Sequence, residues 1–156
     1  MTEVTMRPAI LVLEDGRTFR GSSFGKEGEA YGPVRVCTAM SGYQEALTDP
    51  DLAGTLLCFT TPHIGNTGWN DDDSRSDQIQ AAALIIREKA PRPSNFRSTR
   101  SLDDALVADG TPAVEGIDTR ALMRHLREHG PLWGALSTTR TDIHALQADL
   151  LARKDA

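Results

Sequence analysis

The densest chemistry in the chain sits between Thr60 and Ser74, TTPHIGNTGWNDDDS. It offers the imidazole of His63 and the carboxylates of Asp71, Asp72 and Asp73. Those groups are what a zinc or calcium site uses. Zinc needs three or four ligands converging on one point. His63 has no histidine near it in sequence, because the others are His125, His129 and His144. Calcium loops alternate acids around a glycine and close on a distant glutamate, which a run of three aspartates does not provide. The stretch therefore predicts no metal. Pro62, Gly65, Asn66 and Gly68 are turn formers, so the reading is a shaped loop with an acidic, solvated or capping continuation. An independent hydrolase or small-ligand centre built on His63 and Asp71–Asp73 is the competing reading.

His125 and His129 lie four apart, the spacing of two zinc ligands on one helix face. The metalloprotease pattern H-E-x-x-H is absent, since Leu126 follows His125. Two exposed histidines near a helix C-terminus is the expectation. Cys37 and Cys58 both lie in apolar, strand-like runs (VRVCTAM and LLCFTTP). A cysteine nucleophile needs an exposed position and a base in reach; these two read as small buried hydrophobes. Their number and spacing make neither a disulfide framework nor a zinc motif. The chain has no G-x-S-x-G, no G-x-G-x-x-G and no Walker sequence.

Two further stretches are rich in polar groups. In MSGYQEALTDPDLAG, Gly42, Tyr43, Gln44 and Glu45 form a polar segment that opens a helical turn after a strand. Such a turn binds a substrate or partner, or simply connects two strands. Thr48-Asp49-Pro50-Asp51 terminates it. REKAPRPSNFRSTR holds five basic residues, Arg87, Lys89, Arg92, Arg97 and Arg100, against Glu88 alone. A run of this kind is a solvated loop or a contact for an anion or a protein.

The elements that must carry these residues are legible in outline. AILVL (residues 9–13) and RTFRGSSFG flank Asp15-Gly16, which predicts an opening hairpin. VRVCTAM from Val34 predicts a third strand. TLLCFTT and AAALII are continuously apolar, as strands covered on both faces are. PAVEG and WGALS predict two more short strands. Ser101 is a candidate cap for LDDALVADG, with Gly110 past its end. Asp118 is a cap for TRALMRHLREHG, closed by Gly130-Pro131. Thr141 is a candidate cap for DIHALQADLLARK, where Ile143, Leu146 and Leu150 form one stripe. Strands first, then strands mixed with helices, predict an α/β layered domain: mixed sheets with helices on one side.

Composition bounds the rest. The 156 residues are 39% hydrophobic and 25% charged, which suits one ordinary globular domain. A net charge of −5 argues against a nucleic-acid partner held by a broad basic surface. The apolar run near the start is too short for a signal core or a membrane span. No membrane and a cytoplasmic, reducing compartment are the expectations.

Five motifs in order carry a resemblance: LEDGRTFRGSSFG, MSGYQEALTDP, PHIGNTGWN, SNFR and GIDTRALMRHLREHG. Over about residues 7–138 the chain resembles the amino-terminal domain of the small subunit of glutamine-hydrolysing carbamoyl-phosphate synthase. The resemblance implies a swivelling β/β/α fold over residues 1–139, with 140–156 a helical connection towards a glutaminase domain. In that family the second domain, a class I glutamine amidotransferase with a Cys–His–Glu arrangement, hydrolyses glutamine. The ammonia passes to a large subunit that uses bicarbonate and ATP, with Mg, to make carbamoyl phosphate for pyrimidine and arginine synthesis. The partners implied are that large subunit and the glutaminase domain.

The family nucleophile lies in a G-x-C-x-G context, which neither Cys37 nor Cys58 has. The expectation is therefore no catalytic residue and no cofactor in this chain. It is read as a structural and assembly domain, inactive alone. Gly42, Tyr43, Gln44, Glu45, Pro62, His63, Gly65 and Asn66 are expected to shape loops or interfaces. The family usually reads T-D-P-S-Y, with the serine reaching the glutamine pocket. Here Asp51 takes that place, in TDPDL. An ionised carboxylate accepts hydrogen bonds but cannot donate one, so the substrate contact is not carried over.

Overall fold

The computed structural model describes residues 7–37, 43–60, 76, 78–88 and 102–155. β1 (Pro8–Leu13) and β2 (Thr18–Gly25) form the expected antiparallel hairpin. Its turn closes with Gly16 at φ 95°, a conformation that glycine adopts at little cost. β3 (Glu29–Cys37) starts five residues before the predicted Val34 and carries Pro33 inside it. Pro33 pairs with Trp133 at the end of one ladder, and the parallel ladder to the next strand begins at Val34. A residue lacking an N–H is tolerated at such a junction.

α1 (Tyr43–Thr48) and a 3-10 turn (Pro50–Leu52) lead into β4 (Leu56–Phe59). β5 (Ala83–Ile85), α2 (Leu102–Ala108) and β6 (Pro112–Glu115) follow. α3 (Thr119–His129), β7 (Trp133–Ser137) and α4 (Ile143–Lys154) complete the described chain. β4 and β5 are buried along their whole length, as continuous apolar runs should be.

The strands close into a barrel in the order β1-β2-β6-β5-β4-β3-β7. β3, β4, β5 and β6 are parallel neighbours, and the remaining pairs are antiparallel. Closure falls to β7, which pairs with β1 on one side and β3 on the other. Alternation along the strands then sorts side chains inward and outward. Leu11, Leu13, Val34, Leu56, Cys58, Ile85, Val114 and Leu136 share the inner cluster, together with Leu122 of α3.

The helices do not gather on one side, as the layered expectation had them. α1 and α2 cover Leu57, Phe59, Leu84 and Ala113 on the outside of the parallel strands. α4 covers Ile10, Val12 and Ala135 on the outside of β1 and β7. The physical reason lies in β1, which is apolar on both faces. Its inner face fills the barrel, and its outer face needs a cover of its own.

The caps follow the chemistry expected of them, with one shift. The Asp118 carboxylate accepts from the Ala121 N–H, and Gly130 ends α3 at φ 82°. α4 is capped by Asp142, which accepts from the Ala145 N–H, not by Thr141. Both side chains can cap a helix; the aspartate is the one whose oxygen reaches the third helical N–H. Ser101 lies outside the described residues. Leu146 and Leu150 are buried, with Ile143 packed beside them.

Backbones also approach closely where side chains are missing. A Cβ on Gly32 would stand 2.2 Å from the Gly54 carbonyl oxygen, at the entrance to β4. The clash is with main chain, so no side-chain rotation relieves it. Gly32→Ala is expected to lower unfolding stability by roughly 1–3 kcal/mol. Urea titration should report a lower midpoint with an unchanged slope.

Candidate functional site

Three arrangements of polar groups stand out on this scaffold. The first surrounds α1. Tyr43 and Gln44 are buried and Glu45 is exposed. Tyr43 packs in the cluster of Leu47, Leu57 and Phe59. The helix is stitched down by Ser76 Oγ donating to the Thr48 carbonyl at 2.6 Å and Gln80 N–H donating to the Leu47 carbonyl at 2.7 Å. The Asp49 carboxylate then accepts from the Asp51 N–H at 2.9 Å, which starts the 3-10 turn and leaves the Asp51 side chain exposed. Gly42, Pro62, His63, Gly65, Asn66 and Asp71–Asp73 lie outside the described residues.

The second arrangement binds α4 to the barrel. Glu29 receives Arg140 in a two-pronged pair, Nε to Oε2 at 2.6 Å and Nη2 to Oε1 at 3.0 Å. Ser137 Oγ donates to Oε2 at 2.8 Å and the Tyr31 hydroxyl to Oε1 at 2.9 Å. Arg140 also reaches Asp149 of α4 at 2.8 Å, and the Arg153 guanidinium lies 4.0 Å from the Tyr31 ring centroid. Hydrogen bonding from Arg140, opposed by partial burial and helped by Ser137 and Tyr31, lowers the Glu29 pKa to about 2. Short charge-assisted bonds of this kind are the strong ones.

A related set of contacts holds α3 and α4 to the β1–β2 turn. His125 Nε2 and Asp15 Oδ2 are 2.6 Å apart, and His125 stacks at 4.4 Å from the His129 ring. His125 is therefore a half-buried structural contact rather than one of two exposed histidines. Glu14 accepts from the Trp133 N–H at 2.8 Å and from Lys154 Nζ at 2.5 Å. Burial pushes both Glu14 and Asp15 upward, but the bonds they accept outweigh it and their pKa values end lowered.

The third arrangement is a cleft of about 610 Å³ at the C-terminal ends of β5 and β6. Arg87 and Glu88 follow β5, Gly116 and Ile117 follow β6, and Asp118, Arg120 and Arg124 come from the start of α3. The Gly116 N–H donates to the Arg87 carbonyl at 2.8 Å, fixing the two strand ends side by side. In parallel α/β sheets the carboxyl ends of the strands are where ligands and partners meet the fold. Arg87 and Glu88 are the only described members of the basic run, which otherwise lies at residues 89–100.

Sequence comparison places the chain in a family. The profile described as "Carbamoyl-phosphate synthase small chain, CPSase domain" matches residues 11–136. The chain belongs to the carbamoyl-phosphate synthase small chain family. It is 52% identical over 125 residues to a carbamoyl phosphate synthase small chain from Streptomyces coelicolor, covering 80% of this chain and 33% of that one. Relatives of the same name from Solidesulfovibrio magneticus and Xylella fastidiosa are each 50% identical. They match over 86% and 90% of this chain, and over 36% and 37% of their own lengths. The chain thus spans about a third of the length of these relatives. Among solved structures, an aminopeptidase from Aneurinibacillus sp. strain AM-1 superposes with a TM-score of 0.46 at 13% identity, covering 86% of this chain and 34% of its own.

The two thiols differ in their surroundings. Cys58 is fully buried in the barrel interior. Burial, with a smaller push from Cys37, raises its pKa to about 12, so it carries essentially no thiolate near neutrality. Cys37 is half-buried at the end of β3. Among the described residues no group of three or more His, Cys, Asp or Glu is placed to hold a metal. No described helix is long and apolar enough to cross a membrane.

Sequence reasoning missed the Glu29–Arg140 pair and the cleft. The partners of the pair lie 111 positions apart, and nothing local marks either residue. The cleft joins two stretches, residues 87–88 and 116–124, that no local pattern connects. The carboxylate of Glu29 is held below its ordinary value of 4.5, so its stabilising contribution is complete above that pH and is lost as pH falls towards about 2. Glu29→Gln should lower the melting temperature at neutral pH and flatten its decline across that acidic window. Calorimetry at a series of pH values checks this, with Glu14 and Asp15 leaving a residual slope in the variant.

Proposed function

We propose that this chain is the amino-terminal structural and assembly domain of the small, glutamine-amidotransferase subunit of carbamoyl-phosphate synthase. The observation that carries the reading is the family match over residues 11–136, supported by relatives about half identical over that span. In the whole protein, glutamine is hydrolysed by a Cys–His–Glu arrangement in an adjoining glutaminase domain. The ammonia passes to a large subunit that uses bicarbonate, ATP and Mg. The product, carbamoyl phosphate, serves pyrimidine and arginine synthesis in the cytoplasm.

This domain's part is to present shape and contact area. A thioester mechanism needs an activated thiolate beside a base, and the buried Cys58 thiol is suited to packing instead. Its scaffold is the closed mixed barrel, with α1 and α2 outside the parallel strands and α4 outside β1 and β7. Residues 140–156 lead towards the glutaminase domain, with α4 seated on β1 and β7.

The reading makes two expectations testable. The purified 156-residue chain should release no ammonia from glutamine, while the complete small chain bound to its large partner does. Ammonia release by the isolated chain, abolished by Cys37→Ser or Cys58→Ser, overturns the reading. In the complete subunit, Asp51→Ser should leave the glutamine KM within about a factor of three, because loss of a side chain that does not contact substrate leaves binding unchanged. Steady-state kinetics decides it, and a larger shift places Asp51 at the glutamine pocket.

A further inference from the structure

The cleft at the ends of β5 and β6 carries three guanidinium groups, Arg87, Arg120 and Arg124. All three residues are exposed, and their side chains make no hydrogen bond or ion pair among the described residues. Two carboxylates, Glu88 and Asp118, line the same cleft and leave it a net positive charge. Asp118 caps α3 through the Ala121 N–H at 3.0 Å, and Glu88 is engaged in an interaction of its own. The chain as a whole is acidic, at −5, so this concentration of unpaired positive charge runs against its average.

The placement also costs stability. Arg120 sits in the first turn of α3, where the helix dipole disfavours a cation. Arg124 follows four residues later on the same face and adds like-charge repulsion. Neither charge is repaid within the described fold. Arginine presented on a concave surface is the residue type best suited to carboxylates, which its planar fork binds in a two-pronged manner, and it is enriched at protein interfaces.

We propose that this three-arginine cleft is a docking site for an acidic segment of a partner polypeptide, and that the partner is the large subunit of the synthase. The proposal rests on the assembly role above and assigns it a surface. Carboxylates of the partner enter the cleft and neutralise Arg120 and Arg124, while Arg87 closes the β5 side. Recognition through such charges acts strongly on the rate of association and is weakened by salt.

The test uses the complete small chain and its large partner, with affinity measured by biolayer interferometry at low and high salt. Arg120→Glu/Arg124→Glu should weaken the complex at least about tenfold at low salt and reduce its salt dependence. Arg20→Glu/Lys26→Glu makes the same change in net charge at exposed positions on β2 and just beyond it, and should leave affinity near that of the unaltered chain. Circular dichroism melting establishes that both variants fold. Equal weakening by both pairs, or by neither, overturns the inference. So does saturable binding of inorganic phosphate to the small chain alone, lost in Arg120→Glu/Arg124→Glu while the complex is unaffected, because the cleft is then a small-anion site. Failure of the unaltered chains to associate at all counts against the assembly role itself and is told apart by that result.

Discussion

The structure depends on β7 pairing with two strands at once. Without it, the outer edges of β1 and β3 would each present unpaired N–H and C=O groups, a liability for any sheet. With it, the sheet closes and one side of every strand becomes interior. That single pairing also explains the composition of β1. AILVL is apolar throughout because its inner residues fill the barrel and its outer residues lie under α4. Gly134 belongs to the same logic: a Cβ there would meet Val34, Leu11 and Leu56 side chains within 3.1 Å, so the closing strand is kept thin where three others converge.

Closure passes a second requirement to the ends of the chain. α4 must be held over β1 and β7, and its own apolar stripe of Leu146 and Leu150 is short. The Glu29–Arg140 pair, with Tyr31, Ser137 and Asp149, completes the attachment with charge-assisted bonds. The pair is partly exposed, so its direct contribution is screened by solvent. Its value is geometric: a planar guanidinium gripping one carboxylate with two bonds sets the direction in which the chain leaves β7. Lys154 on Glu14 does the same at the far end of the helix.

The hairpin, the caps of α3 and the doubly covered strands β4 and β5 were legible because each is a local pattern. Asp15-Gly16, Asp118 with Gly130, and the runs LLCF and ALI all state their conformation within a few residues. Closure was not legible. It depends on β7 meeting β1 and β3 across more than a hundred positions, and WGALS gives no sign of having two partners. The same limit hid the polar contacts. His125 looked exposed because its partner Asp15 lies 110 residues away, and the basic run drew attention to residues 89–100 while Arg120 and Arg124, two of the cleft's three cations, sat in a helix read only for its cap and its stop. The family motifs were legible as a set, since order and spacing across five segments survive where single residues mislead.

α3 shows how one helix reconciles these demands. Leu122 is committed to the barrel interior. His125, three residues on, turns to Asp15 and ties the helix to the β1–β2 hairpin. Arg120 and Arg124 are left on the face towards the ends of β5 and β6. The helix cannot rotate to hide those charges without withdrawing Leu122 from the core and breaking the His125 contact. The arginine face is therefore fixed by interactions that do not involve it. That is the condition for a surface that recognises a partner without reorganising first: the side chains meeting the partner are free, and everything that aims them is already held.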